Sequence, residues 1–240
     1  MSDRTVKGIV IKANDVKEND LILTISTKDG LMSIYGRGLK KMTSHNAYAC
    51  QLFDCSEFVI DYNESRDVQL LKTASLKKDF VNLKSDYDRI ALASVVCEIA
   101  SQLEDENLFM LIFKTLDNLD SSSEPYTVFN LFVVEILNLL GISPVVDGCA
   151  ICGDTNNIET ISIQDGGFIC HDCNAQTHIN PRDVGYLKRF RIINKASFEV
   201  LDKLYGLKIN DYEITSMLID FLMTHSGMNI RSWRSVQQSL

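Results

Sequence analysis

The chain has 240 residues, 45% of them hydrophobic and 23% charged, with a formal net charge of −8. That is the balance of a globular protein able to bury a core without disulfides, as one large domain or two smaller ones. Only 3 Pro and 12 Gly exclude a collagenous or low-complexity chain. The start MSDRTVKGIVI has no long apolar segment, and no apolar run reaches the ~20 residues of a membrane span, so a cytoplasmic protein is expected. The charge is uneven. Residues 1–80 carry 12 basic and 11 acidic side chains, residues 81–165 carry 3 and 14, and residues 166–240 carry 9 and 7. An acidic middle argues against a polyanion-binding surface over the whole molecule but leaves room for a local basic patch.

The first 80 residues read as strands. Val6–Ile11 and Leu21–Thr27 are β-rich, and Lys28-Asp29-Gly30 joins the second to Leu31–Tyr35, a strong hairpin signal. Further runs lie at Cys50–Tyr62 and Val68–Leu76, which makes about five strands with short connections and suits a small barrel. The break falls near Lys77-Lys78-Asp79, giving a barrel domain over 1–79 and a helical domain over 80–240. Beyond it the period is helical. Tyr87, Ile90, Ala91, Val95 and Ile99 share one stripe, and Leu108, Leu111, Ile112, Leu116 and Leu119 share another. Pro125 opens a third helix in which 11 of the 15 residues from Tyr126 to Leu140 are apolar, which predicts burial on most sides. Gly141 ends it. Asn180-Pro181 is expected to cap a later helix, and Ile214, Met217, Leu218, Phe221 and Leu222 form the cleanest amphipathic stripe. The fold class expected is α+β, a five-stranded barrel followed by a helical bundle.

Four of the 7 cysteines stand as Cys149-Ala-Ile-Cys152 and Cys170-His-Asp-Cys173. Two C-x2-C knuckles at this separation fit one structural zinc ion, because each short turn presents two thiolates at tetrahedral spacing. The site is expected within an insertion of about residues 146–176. A redox reading lacks the βαβ context that such a motif needs, and four cysteines leave no open position for a catalytic ion. His171 and His178 lie close by and read as solvated. Cys50, Cys55 and Cys97 sit in apolar segments and read as core thiols.

The order of these features, and three local strings, resemble the RecO family of recombination mediator proteins. The strings are VKENDLILTISTKDGLMSIYGRGLKKMTS (Val16–Ser44), LLGISPVVDGCAICG (Leu139–Gly153) and DGGFICHDC (Asp165–Cys173). The resemblance spans about the whole chain. It implies that the barrel is an OB-fold, that the protein binds single- and double-stranded DNA and anneals complementary strands, and that it is not an enzyme. The partners it implies are RecR, single-stranded DNA-binding protein and RecF, in assisting RecA to load onto coated single strands.

For an OB-fold of this kind the candidate phosphate contacts are Arg37, Lys40 and Lys41, in a glycine-bearing loop after the third strand, with Tyr35 as the nearest aromatic. Lys7 and Lys12 are further candidates, as are Arg66 and Lys72. The plainer alternative is a solvated basic loop beside a core tyrosine. A second basic face of Arg182, Lys188, Arg191 and Lys195 suits either DNA or an acidic partner tail, the last three sharing a side at helical spacing. A competing function is a zinc-ribbon accessory protein acting through protein contacts in transcription or translation. A hydrolase or redox enzyme is disfavoured, since no nucleophile–base spacing and no nucleotide-binding glycine loop is present.

Overall fold

The computed structural model describes residues 2–105 and 107–238. Five strands, β1 (Ser2–Asp15), β2 (Leu21–Thr27), β3 (Gly30–Gly36), β4 (Cys55–Tyr62) and β5 (Val68–Lys78), close into a barrel in the order β1-β2-β3-β5-β4. All neighbours pair antiparallel except β3 with β5, whose parallel pairing of Ser33–Tyr35 with Val68–Leu70 completes the closure. This is the OB-fold barrel. The β2–β3 turn is tight, with Thr27 opposite Gly30, and the Thr27 hydroxyl both accepts from the Asp29 N–H and donates to the Gly30 carbonyl. The β1–β2 register shifts between Val10 and Lys12, so the extra residue bends the long first strand around the barrel. Val6, Val10, Leu23, Ile25, Ile34, Phe58 and Ile60 fill the interior, each from a strand position that faces inward.

The remaining elements are helices with one hairpin. In chain order they are α1 (Val81–Ser85), α2 (Tyr87–Ala100), α3 (Leu108–Ser121), α4 (Pro125–Leu139), the hairpin β6 (Ile158–Ser162) and β7 (Gly167–Cys170), α5 (His171–Thr177), α6 (Val184–Lys195), α7 (Leu201–Leu204), α8 (Tyr212–Ser226) and α9 (Trp233–Gln238). The strand-to-helix change after Lys78 is one boundary and the division into compact units is another. One unit is Met1–Ser121 with Ile230–Leu240, and the other is Ser122–Asn229.

In the first unit α2 and α3 pack on β1, and α9 packs on α2. The last of these is pinned by Glu98, whose carboxylate accepts the backbone N–H groups of Arg231 (3.0 Å) and Ser232 (2.7 Å) and the Ser232 hydroxyl, while Trp233 is buried. Lys84 of α1 reaches two carboxylates, Asp54 in the loop before β4 and Asp79 at 2.8 Å. Burial pushes the Asp54 carboxyl above its ordinary range, and the Lys84 ammonium opposes that shift.

In the second unit α4 packs on α8 and is buried almost all round, as its composition predicts. Its buried Asn130 donates through the side-chain amide to the Ile209 carbonyl at 3.1 Å. Pro125 occupies the first turn of α4, and Gly141 follows the helix at φ 68°.

Three expectations need correction. The apolar run from Cys50 is not strand until Cys55. Ala47–Ala49 is a single 3-10 turn, and Phe53 is buried at φ 74°, with its N–H bonded to the Val10 carbonyl at 2.8 Å. Burial of a loop residue, not strand pairing, explains that stretch. The helix expected to open at Asn180-Pro181 begins at Val184, because Asp183 caps it by accepting from the N–H groups of Gly185 and Tyr186. Arg182 therefore precedes that helix. Tyr87 is exposed although it falls on the apolar stripe of α2, since it stands in the first turn at the open end of the helix.

Candidate metal centre and nucleic-acid interface

The cysteine knuckles are built from two different local structures. In the first, Cys149 and Cys152 bracket a turn in which the Gly153 N–H donates to the Cys149 carbonyl at 2.8 Å and the Cys149 N–H to the Asp154 carbonyl at 2.7 Å. In the second, Cys170 ends β7 and precedes α5, and Cys173 falls in that helix's first turn. Val145 bridges Gly167, and a Cβ there would come within 2.3 Å of the Val145 carbonyl oxygen, so only glycine allows the approach.

The four sulfurs all lie within 4.8 Å of one another. Cys152 and Cys170 Sγ are 3.7 Å apart. That is far from the ~2.05 Å of a disulfide and close to the roughly 3.8 Å edge of a tetrahedron with ~2.3 Å metal–sulfur bonds. Burial works to raise the Cys149 thiol pKa, but the backbone N–H groups of Cys152, Cys170 and Ile151 outweigh it and bring the thiol down to about 6. These N–H donors favour the thiolate at Cys149, while the hydrogen bond with the Cys152 sulfur pushes the Cys173 thiol the other way. The set can hold a metal ion. His171 is outside it, exposed, with Nδ1 3.2 Å from Glu159 Oε1. Cys50, Cys55 and Cys97 are buried, and burial alone pushes the Cys97 thiol up to about 12.

Sequence reasoning did not find Asn174, the residue that secures the second knuckle. Its side-chain amide donates to Glu159 Oε2 (2.9 Å) and the Ile179 carbonyl (2.8 Å), and its oxygen accepts from the Ile179 N–H and the Thr177 hydroxyl. All of its hydrogen-bonding groups are used to tie α5 to β6 and to the chain beyond it.

On the barrel, the loop between β1 and β2 meets the loop that leaves β3. Together they line a groove of about 560 Å³ formed by Lys17, Glu18, Asn19, Asp20, Tyr35, Arg37 and Lys41. The backbone joins the two loops through the Lys40 N–H to the Asn19 carbonyl at 3.0 Å. Asp20 joins them again, accepting from the Gly38 N–H at 2.7 Å and from the Tyr35 hydroxyl. Gly38 stands at φ 65°, a conformation that an L side chain strains to adopt.

Three of the expected residues, Tyr35, Arg37 and Lys41, thus share one groove. Lys40 turns to Asp15 at 3.1 Å. Lys7 is elsewhere, its ammonium 5.7 Å from the centre of the Phe113 ring on α3. Lys12 is exposed on β1. Arg66 and Lys72 are paired with Asp61 (3.4 Å) and Asp3 (2.5 Å). Lys17 was not singled out, although it lies in the Val16–Ser44 string. Among the described residues, Lys17, Arg37 and Lys41 have no carboxylate within ion-pairing distance.

The second basic face is largely neutralised. Arg191 (2.8 Å) and Lys195 both bind Asp147, and Arg182 binds Glu213 while lying 5.1 Å from the centre of the Tyr186 ring. Of the four residues, Lys188 alone lacks a carboxylate partner among the described residues.

An OB barrel with an open cationic groove, followed by helices that carry a four-cysteine ribbon, defines a modular class: an OB-fold protein with a metal-type knuckle pair. Residues 1–80 match the family model "Recombination protein O N terminal", and residues 84–234 match "Recombination protein O C terminal". A DNA repair protein RecO of Caldanaerobacter subterraneus is 26% identical over 238 residues, covering 94% of each chain. Another from Desulforamulus reducens is 30% identical over 206 residues, covering 82% of this chain and 75% of its own length. One from Listeria monocytogenes is 30% identical over 173 residues, covering 70% of this chain and 67% of its own. The chain belongs to the RecO family of DNA repair proteins. Among the described residues, no helix is long and apolar enough to cross a membrane.

Proposed function

We propose that this chain is a recombination mediator without catalytic chemistry of its own. It binds single- and double-stranded DNA at the barrel groove, anneals complementary strands and, with RecR, assists RecA to load onto strands coated by single-stranded DNA-binding protein. RecF is a further candidate partner, and the work takes place in the cytoplasm. The observation that supports the reading best is the groove: among the described residues Lys17, Arg37 and Lys41 form no ion pair and stand beside Tyr35, on the OB-fold face where the β1–β2 loop and strands 2–3 receive oligonucleotides. The cations attract phosphates, and the Tyr35 ring offers a surface on which a base can stack.

Three such cations give weak, salt-sensitive binding. At about −0.7 per phosphate contact, the slope of log affinity against log salt is roughly −2 for single strands. RecR strengthens that binding by adding contacts. At the second face, an acidic tail of single-stranded DNA-binding protein would have to displace Asp147 from Arg191 and Lys195. Zinc is the ion for the ribbon, because four thiolates in tetrahedral array suit it and leave no open position. Its role is structural, and Cys149, Cys152, Cys170 and Cys173 hold it.

Annealing of two complementary labelled strands, at low and physiological salt, with and without the cognate RecR, tests the reading. Salt-sensitive annealing is the expected result. Absence of both strand binding and annealing, with RecR present and zinc loaded, would show that this chain keeps the scaffold and acts through protein contacts.

A further inference from the structure

Two carboxylates, Glu18 and Asp20, line the groove, where simple electrostatics argues against acids for a surface that receives phosphates. Asp20 lines it together with Lys17, Arg37 and Lys41, and the first two hydrogen bonds it accepts, from Tyr35 and from the Gly38 N–H, hold its carboxyl below the ordinary carboxylate range. It is therefore charged at neutral pH. Its two oxygens are not idle: one takes the Gly38 N–H at 2.7 Å, and the other takes the Tyr35 hydroxyl. These contacts tie the end of the β1–β2 loop to the backbone between Arg37 and Leu39 and to the aromatic ring at the end of β3.

We propose that Asp20 is a positioning residue for polyanion binding, whose hydrogen bonds hold Arg37, Lys41 and Tyr35 in the arrangement that meets a phosphodiester strand. The inference rests on the reading of the groove as the DNA surface. It follows from the charge balance that Asp20 does two opposed things: its charge repels a phosphate, and its hydrogen bonds shape the site. Both oxygens are engaged by neutral donors, which leaves the charge in place, and the loss of the two hydrogen bonds outweighs the relief of that repulsion.

Two substitutions that remove the same charge separate these effects. Asp20→Asn keeps a carbonyl oxygen for the Gly38 N–H and an amide that can donate to the Tyr35 oxygen, while the charge is gone. Asp20→Ala removes the charge and both hydrogen bonds. Binding to a fluorescein-labelled oligothymidylate is read by anisotropy across a salt series, with thermal unfolding recorded for each variant. Asp20→Asn is expected to bind about 2- to 4-fold more tightly with an unchanged salt slope. Asp20→Ala is expected to bind about 3- to 10-fold more weakly, with a slope shallower by about 0.7 as one cation loses its phosphate. Tyr35→Phe frees one charged oxygen without touching the backbone bond, and is expected to weaken binding about 2- to 3-fold. It carries the test if Asp20→Ala does not fold.

Equal tightening by Asn and Ala would overturn the proposal and make Asp20 a plain repulsive charge, and equal affinity of all variants would overturn it too. The double variant Arg37→Glu/Lys41→Glu, measured alongside, separates the two levels. If it binds like the wild type, the groove reading itself fails and the role of Asp20 falls with it. If it loses binding while the Asp20 variants do not differ, only the positioning role is wrong.

Discussion

In the ribbon, four sulfurs converge within 4.8 Å of one another, two of them buried, and N–H donors face Cys149. In the barrel groove, three cations stand on exposed loops beside Glu18 and Asp20, but among the described residues none of the three is ion-paired to a carboxylate. The first arrangement turns its sulfurs on one another and can hold a metal ion, so the proposed ion would contribute to folding. The second leaves charge unsatisfied at the surface, so it is available to a ligand. The second basic face shows what happens between these limits: Arg191 and Lys195 sit close together, but Asp147 has already taken both. A cluster of positive side chains is a binding surface only to the extent that the protein's own acids leave it free.

The largest effect should come from the ribbon. Cys149→Ser removes one thiolate from the proposed zinc site, where metal binding would be folding free energy on the order of 10 kcal/mol. Metal analysis of the variant should show zinc lost, and amide exchange should show β6, β7 and α5 opening while the barrel strands stay protected. Retention of a full metal equivalent would contradict the four-sulfur site.

A smaller effect is expected at Glu98, the acceptor that pins α9. Burial works to raise its pKa, but the Ser232 and Arg231 donors outweigh it and the carboxyl lies below its ordinary range. A lowered carboxylate pKa contributes stability above the unfolded value of about 4.3, and that contribution is lost as pH falls through the folded value. The buried Trp233 should therefore shift its emission to the red on acidification below about pH 4. Glu98→Ala should show the shifted emission already at neutral pH and lose about 1–2 kcal/mol. Glu98→Gln should show no Glu98-linked acid step. An unshifted emission in Glu98→Ala would show that Glu98 does not pin α9.

The smallest effect tests the groove against its own edge. Lys41→Ala should weaken strand binding about 3-fold, whereas Lys40→Ala, whose ammonium is already paired with Asp15, should weaken it less than 2-fold. Equal losses would mean that ion pairing within the loop does not decide which lysine meets DNA.

Much of this was legible in the residues. The β-rich runs Leu21–Thr27 and Leu31–Tyr35 and the Asp29-Gly30 turn between them are local signals, and the hairpin follows them. The paired knuckles are equally local, because each C-x2-C spacing already sets the geometry of one turn, and their convergence needed only the hairpin between them. What could not be read was the partner of each charge. Asp147 and Arg191 are 44 positions apart, and nothing in either neighbourhood announces the pair. Lys17 escaped notice for the same reason in reverse: its value lies in the groove it shares with Arg37 and Lys41, which exists only once β1, β2 and β3 have paired. Asn174 looks like an ordinary loop residue until its four hydrogen bonds are seen. The apolar run at Cys50–Phe53 misled because burial and strand pairing leave the same mark on composition, and Phe53 is buried without being paired in a strand.

The claim that the barrel groove is the DNA surface is tested most directly by the salt dependence of oligothymidylate binding in the wild type and in Arg37→Glu/Lys41→Glu. The wild type should show a slope of roughly −2, and the variant a loss of affinity of at least about 10-fold with a slope near zero. A variant that keeps both the affinity and the slope would place the DNA on another face of the protein.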